Sequence, residues 1–358
     1  MVPMNRHTLH FLLYGALALI ALVLVIRLTL PDSGSATPQD PTATAEVRND
    51  TDPFRGMRIQ RSAIRPVTVP SVQELGAGKI ALGERLFNDP QLSADSTISC
   101  ASCHILSQGG DDGRKLSPGV GGTLGEVNTP TVFNSVFNFR QFWDGRAANL
   151  TEQVAGPILN PVEMASDWAT VIRRLEGDSA YREAFKREYA GIISDATISD
   201  AIARFESTLV TPNAPFDRYL NGDSNAISAE ALEGYRRFSD FGCISCHQGI
   251  NIGGNFFQRF GVMGDYFADR GNLTKADLGH YNVTGLDEDR NVFKVPSLRN
   301  VALTAPYFHD GSIDTLDKAV DIMARYQLGR DISDEDRRYI IAFLESLTGE
   351  YHGERLQP

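Results

Sequence analysis

Apolar residues recur with helical spacing along most of the chain. In DISDEDRRYIIAFLESLTG (331–349), Tyr339 and Phe343 lie four positions apart, after several aspartates that favour the start of a helix. The stretch ISDAIARFESTLV (198–210) is similarly periodic. Gly349 is a plausible stop for the last helix. Since no run of strictly alternating residues predicts a competing sheet, the pattern predicts an all-α fold.

The N-terminus carries an apolar run, FLLYGALALIALVLVI (11–26), between Arg6 and Arg27. At ~1.5 Å per residue the run falls slightly short of a ~30 Å hydrocarbon core, but neighbouring leucines extend it. No small-residue cleavage site follows promptly, so residues 1–30 are expected to form a transmembrane helix, with a cleaved signal as the alternative. Residues 31–65 are expected to form a flexible tether, because 31–62 are rich in Pro, Thr, Ser and Asp without an apolar period.

Length and charge limit the class of protein. The chain has 358 residues, 42% of them hydrophobic, which is enough for about two domains with separate cores. The formal net charge of -11 argues against a nucleic-acid surface and is compatible with a basic protein partner.

All four cysteines belong to two copies of one pattern, CxxCH. Two thiols three positions apart can form thioethers to the vinyl groups of one c-type haem, and the adjacent histidine then ligates the iron. Disulfides or a zinc site are the alternatives, but neither explains a histidine directly after each pair. The pattern predicts two covalent haems, held by Cys100, Cys103 and His104 and by Cys243, Cys246 and His247.

The segments before the two motifs also repeat. GERLF (83–87) precedes the first and GYRRF (234–238) the second, each with Gly and Phe four positions apart. This spacing places both on one helix face, where Gly permits close approach and Phe can pack on a haem edge, although ordinary core packing explains the pair equally well. The repeat favours two cytochrome-like units joined by TPNAPFDRYLNGD (211–223).

Three longer segments carry a resemblance to a known family. They are NTPTVFNSVFNFRQFWDGRAANLTEQVAGPILNPVEM (128–164), FKVPSLRNVALTAPYFHDG (293–311) and AVDIMARYQLG (319–329). In this order they resemble the bacterial di-haem cytochrome c peroxidases and their relatives, over roughly residues 70–348. The resemblance implies two cytochrome c-like haem domains in tandem. We place the peroxidatic domain at 66–214 and the electron-transfer domain at 215–349, with a tail at 350–358.

The resemblance also implies roles for individual residues. His104 would hold the peroxidatic iron, and His247 the iron that accepts electrons from a small cytochrome c or a copper protein (cupredoxin). Met323 matches the second ligand of the electron-accepting iron; a buried helix residue is the alternative reading, and Tyr326 is a poorer ligand candidate.

Three further positions match residues that act in catalysis. Trp143 matches a tryptophan between the two haems. Glu163 and Gln153 match residues beside the peroxide, where a carboxylate would move a proton between the oxygens and release water.

Asn128, Thr304 and Pro306 match the calcium site of the family, where oxygen ligands from separate segments suit Ca²⁺. His309 falls on a family position near the same interface, and we expect it to be a hydrogen-bonded structural histidine. Family members are often dimers, so a homodimer is a further expectation. Because bacteria attach c-type haem outside the cytoplasm, we expect the protein in the periplasm, anchored to the inner membrane.

The chain departs from the family pattern at Val120, where many members carry a histidine that ligates the resting peroxidatic iron. Valine has no ligand atom, so we expect a vacant or water-filled position and an enzyme that reacts while oxidised. Relatives that lack this histidine include di-haem enzymes that oxidise tryptophan side chains of a partner protein. Met323 favours peroxide reduction over this alternative, and a non-catalytic electron-transfer cytochrome is the third.

Overall fold

The computed structural model describes residues 63–357, and their regular secondary structure is mainly helical, as predicted, with two short two-stranded sheets in addition. The helices are α1 (Val72–Leu75), α2 (Ala77–Phe87), α3 (Cys100–Cys103), α4 (Leu150–Gln153), α5 (Ala155–Leu159), α6 (Trp168–Gly177), α7 (Ser179–Tyr189), α8 (Asp195–Glu206), α9 (Pro215–Leu220), α10 (Ala229–Asp240), α11 (Tyr266–Arg270), α12 (Tyr281–Thr284), α13 (Leu316–Ile322) and α14 (Asp334–Glu345). Short 3₁₀ turns and one π-helical turn, Met323–Gln327, connect them.

Two pairs of crossing helices form the repeated unit of the fold. Helix α2 packs on α8, and α10 packs on α14. A Cβ at Gly83 would overlap the carbonyl oxygen of Ala201, and a Cβ at Gly234 would overlap that of Tyr339. The two glycines therefore let each pair approach closely, as the repeated Gly–Phe spacing predicts.

Each helix pair lies in its own apolar core. The first core is built mainly from α2, α6, α7 and α8. The second contains Phe216, Tyr235, Phe238 and Phe343, and it also buries Ile64 completely. Residues 63–65 thus belong to the folded part, since Arg65 donates its backbone N–H to the oxygen of Gly249 at 3.2 Å. The division at 214/215 stays a prediction.

Three local features go beyond the sequence expectations or differ from them. The connection at 211–223 contains helix α9, because Pro215 starts it and Phe216 anchors it in the second core. The last helix ends at Glu345, four residues before Gly349. In the predicted tail, two-residue strands β3 (Glu350–Tyr351) and β4 (Glu354–Arg355) pair around a turn, and Leu356 returns to the first core.

A second small antiparallel sheet joins β1 (Phe257–Arg259) to β2 (Val292–Lys294), with Phe257 opposite Lys294. Such short strands escape a periodicity search, because three residues are too few to establish alternation. The predicted N-terminal anchor lies outside the described residues. Within residues 63–357, no helix is both long and apolar enough to cross a membrane.

Candidate functional site

The first CxxCH motif lies on α3. Ser99 caps this helix together with Ser102, and the backbone N–H of His104 closes the turn on the oxygen of Cys100 at 3.0 Å. His104 Nδ1 is 3.1 Å from the carbonyl oxygen of Gly110. Since a carbonyl only accepts, Nδ1 must carry the proton, and Nε2 keeps its lone pair for a metal. Burial also lowers the pKa of His104, which favours the neutral ring.

The second motif repeats this arrangement. The backbone N–H of His247 bonds to Cys243 O at 3.0 Å, and its Nδ1 lies 3.2 Å from Ile252 O. Burial lowers the pKa of His247 to about 4. The rings of Phe87 and Phe238 lie 6.4 Å and 6.3 Å from the rings of the respective motif histidines, so the Gly–Phe repeat reaches both sites.

All four motif thiols are free, rather than joined in disulfides. Each motif thus presents two thiols and a neutral imidazole whose Nε2 is available. This donor set fits a covalently attached c-type haem.

Glu163 lies beside the first motif, in the loop after α5. Burial raises the pKa of its carboxyl, although a hydrogen bond from Asn160 Nδ2 to Glu163 Oε1 at 2.6 Å opposes the shift. For the Cys103 thiol, burial raises the pKa to about 11, with the carboxylates of Asp112 and Glu163 adding to the effect. Glu163 is therefore a half-buried carboxyl, close to the first pair of thiols, that retains its proton more readily than an exposed one.

The loop that carries Val120 is attached to the Glu163 segment. The backbone N–H of Val120 donates to Glu163 O at 2.8 Å, and a Cβ at Gly119 would overlap the backbone of Val162 and Glu163. By contrast, a Cβ at Gly121 or Gly122 would meet no atom within 4 Å. One end of the loop is thus held in place, while its glycine tip faces open space.

Gln153 and Trp143 lie on neighbouring elements. Gln153 is the half-buried last residue of α4, and the following helix is packed by Gly156 against the ring of Phe142. Trp143 Nε1 donates to the backbone oxygen of Asn128 at 2.9 Å. This bond fixes the indole next to one of the predicted calcium residues.

The three predicted calcium residues belong to segments that meet near residues 113 and 114. Asn128 Nδ2 donates to Arg114 O at 2.9 Å, and the oxygen of Ala305, between Thr304 and Pro306, lies 3.9 Å from where a Cβ of Gly113 would stand. The backbone N–H of Asn128 also bonds to the oxygen of His309 at 2.9 Å.

His309 is a hydrogen-bonded structural histidine, as expected. Its Nε2 lies 2.7 Å from Asp277 Oδ1, and its ring packs on Phe293 at 4.5 Å between centroids. His309, Asp277 and Asp310 are close enough to hold a cation. Arg270, however, already pairs with both carboxylates, at 2.7 Å and 2.5 Å. Although burial opposes ionisation, hydrogen bonds from His309 and Arg270 lower the pKa of Asp277, so the cluster is an ion-pair network.

Met323 is the first residue of the π-helical turn that follows α13. Such turns are rare and frequently occur at functional sites. One turn later, the hydroxyl of Tyr326 donates to Asp269 Oδ2 at 2.9 Å. Because this hydroxyl is engaged with a carboxylate, the structure offers no support for Tyr326 as the ligand.

Two buried ionisable groups near the motifs are absent from the sequence predictions. Glu206, at the end of α8, is 5% exposed, and Lys294, at the end of β2, is 7% exposed. A lysine inside the apolar-flanked segment FKVPSLRN is the only sequence signal for either, because burial depends on packing between distant segments.

Comparison with known proteins gives a consistent result. The family model described as "Di-haem cytochrome c peroxidase" matches residues 77–225. "Cytochrome c peroxidase Ccp" of Escherichia coli is 51% identical over 85% of this chain and 64% of its own length, and "Cytochrome c551 peroxidase" of Nitrosomonas europaea is 45% identical over 82% and 86%. The crystal structure of "a MauG-like protein associated with microbial copper homeostasis" superposes with a TM-score of 0.70 at 28% identity, covering 80% of this chain and 94% of that one.

Proposed function

Because the chain belongs to the di-haem cytochrome c peroxidase family, we propose that it reduces hydrogen peroxide to water with electrons from a small carrier protein. The similarity confirms the predicted family and the predicted enzyme class, cytochrome c peroxidase. It also implies the two c-type haems. Each turnover balances as one peroxide, two electrons and two protons giving two waters.

The two CxxCH motifs would hold the haems, through Cys100, Cys103 and His104 and through Cys243, Cys246 and His247. The bound haems supply the redox centres at which electrons enter and the oxygen–oxygen bond is cleaved. The protein residues position these centres and handle the protons.

The observation that carries the proposal is the half-buried carboxyl of Glu163 next to the first motif, whose pKa is raised. A proton must leave the near oxygen of peroxide and reach the far oxygen, which departs as water. A carboxyl whose pKa is raised by burial is suited to accept and return this proton. Asn160 orients the carboxyl through the bond to Oε1, and Gln153 is proposed to hold the peroxide beside it.

Access for peroxide depends on the loop at Val120. This side chain has no atom that ligates iron, and the hydrogen bond to Glu163 O keeps the loop beside the proton-transfer group. We therefore expect peroxide to reach the first site in the fully oxidised protein.

Electrons are proposed to enter at the second motif, with Met323 as the second ligand, and to pass by way of Trp143. A thioether ligand raises the potential of a haem, which suits electron entry. Ca²⁺ is proposed to bind at Asn128, Thr304 and Pro306, since Asn128 bonds to both Trp143 and His309 and a cation there would fix this contact region.

The cellular context is proposed from the sequence. Covalent haem attachment favours the periplasm, and the apolar run at 11–26 favours an anchor in the inner membrane. The donor would be a small cytochrome c or a cupredoxin, and the protein is proposed to form a homodimer. Fractionation of cells that express the full chain tests the anchor: extraction from membranes only by detergent is expected, and release by salt would contradict it.

The proposal is tested by mixing the holoprotein with a reduced small cytochrome c and with a reduced cupredoxin, and then adding hydrogen peroxide. Rapid peroxide-dependent oxidation of at least one donor is expected. Val120, at the position where many family members carry a histidine, favours partner-protein oxidation as the second candidate. That candidate predicts a protein that reacts with peroxide but does not turn over efficiently with either donor, and a purely electron-transfer cytochrome predicts no reaction with peroxide.

A further inference from the structure

Lys294 presents a cation inside the protein. It is the last residue of β2, and only 7% of it is exposed. Its ammonium makes no hydrogen bond and no ion pair with any side chain or carbonyl of residues 63–357. Burial alone lowers the pKa of Lys294 to about 8, so at neutral pH most molecules still carry this charge. An unpaired buried ion costs several kcal/mol, and lysine is rarely buried without a partner.

Two other cations within residues 63–357, one buried and one half-buried, have partners. Arg299 is 1% exposed, pairs with Asp217 at 2.7 Å and donates to the backbone oxygens of Ile250 and Arg65. Arg270 pairs with two carboxylates of the His309 network. Lys294 differs from them, because its ammonium has no such partner within residues 63–357.

Lys294 lies on a segment that contacts both Trp143 and the second haem motif. Its backbone N–H donates to the oxygen of Trp143 at 3.0 Å. Since neighbouring strand residues point to opposite faces, its side chain points away from the face on which Phe293 packs against His309. Two residues further on, the carbonyl of Pro296 is within hydrogen-bonding reach of the His247 ring. The segment 294–296 therefore connects the Trp143 region with the second motif.

We propose that the ammonium of Lys294 is the counter-ion of a haem propionate. The thioether bonds leave the propionate carboxylates of a c-type haem free, so attachment brings anions into the protein together with the iron. An ion pair between one propionate and Lys294 would compensate both buried charges. The inference depends on the covalent haems, but not on peroxidase activity.

The pair has a measurable electrostatic consequence. A free propionate disfavours reduction of the iron, because its negative charge opposes the addition of an electron. A cation paired with the propionate reduces this effect, so the pair should raise the reduction potential of the haem. Replacing Lys294 by the uncharged Met, which is similar in length, should lower the equilibrium constant for one-electron reduction of the affected haem. We expect a change of about tenfold, which corresponds to about 59 mV for a one-electron couple.

The test is a spectroelectrochemical titration of wild type, Lys294→Met, Lys294→Arg and the exposed control Lys186→Met, each shown to contain two haems. The expected result is a lowered potential of one haem in Lys294→Met, with wild-type potentials in the control and near-wild-type potentials in Lys294→Arg. The haem that responds identifies the propionate as belonging to the His104 or the His247 centre. Unchanged potentials of both haems in Lys294→Met would overturn the proposal.

A crystal structure of wild-type holoprotein keeps the inference testable if Lys294→Met does not fold or does not retain haem. A distance of at most about 4 Å between Nζ and a propionate oxygen supports the pair. A greater distance from every propionate overturns it, whatever the peroxidase assay shows. Conversely, a confirmed pair in a protein without peroxidase turnover would contradict the proposed function alone.

Discussion

The buried carboxyl of Glu206 should make the stability of the protein depend on pH. Glu206 is 5% exposed, its Oε2 has no hydrogen-bond partner within the described residues, and burial raises its pKa to about 8. The second helix pair has an apolar residue at the matching place. Glu206 lies five residues after Ala201, which contacts Gly83, just as Leu344 lies five residues after Tyr339, which contacts Gly234.

The direction and magnitude follow from the raised pKa. The folded protein holds a proton that the unfolded chain, with an ordinary carboxyl pKa near 4.5, releases. The stabilisation is fully present below about pH 4.5 and is lost as the pH rises towards about 8. At about 1.36 kcal/mol per pH unit, the free energy of unfolding should fall by about 4 kcal/mol between pH 5 and pH 8 from this group alone.

Calorimetric unfolding of the holoprotein at pH 5 and pH 8 measures this effect. Glu206→Gln keeps the shape but cannot ionise, so wild type should lose roughly 8 °C in Tm relative to the variant over this range, at about 2 °C per kcal/mol for a large domain. Glu176→Gln, which changes an exposed carboxyl on α6, serves as the control and should follow wild type. If the Tm of wild type and of Glu206→Gln changed in parallel between pH 5 and pH 8, Glu206 would not be the source of the pH dependence.

The remaining predictions concern the site and the helix crossings. Glu163→Gln should retain both haems by pyridine haemochrome assay yet lose about two to four orders of magnitude in peroxide turnover, and unchanged turnover would remove Glu163 from the mechanism. Ferric wild type should show one high-spin and one low-spin haem by electron paramagnetic resonance. Val120→His should convert the high-spin signal to low spin. Two low-spin signals in wild type would contradict an open coordination position at the iron held by His104. Gly234→Ala should lower the free energy of unfolding by about 1–3 kcal/mol, because the added methyl group would meet the Tyr339 carbonyl. Gly177→Ala is the control, since an added Cβ there has no atom within 4 Å and should not lower the stability. Equal stabilities of the two variants would contradict the close crossing of the helices.

The haem motifs, the close helix crossings and the last helix could be predicted from the sequence, because each depends on the spacing of neighbouring residues. The CxxCH motifs need only neighbouring residues, and the Gly–Phe spacing correctly indicated a close helix approach at Gly83 and Gly234. The helix at 331–349 was predicted from its aspartates and apolar pairs, and Ser333 caps it. Helix α9, within the predicted connection at 211–223, was not predicted, because it is stabilised by burial of Phe216 rather than by any local repeat.

Features that depend on distant segments were beyond prediction from spacing. Arg299 and Asp217 are far apart in sequence, as are His309 and Asp277, so neither ion pair leaves a periodic signal. The burial of Lys294 also depends on packing between distant segments and is not apparent from its local sequence. The assignments of Glu163, Trp143 and Met323 came from family resemblance, since no pattern of composition distinguishes them from other residues of their kind.

An anaerobic stoichiometric titration shows whether the protein couples reduction of peroxide to oxidation of a carrier protein. Known amounts of hydrogen peroxide are added to catalytic holoprotein and an excess of reduced donor, and the oxidised donor is counted from its absorbance. We expect two one-electron donors to be oxidised for each peroxide consumed, and we expect Glu163→Gln to lose this coupling at catalytic rates. Peroxide consumption without donor oxidation in wild type, or no consumption at all with both haems attached, would contradict it.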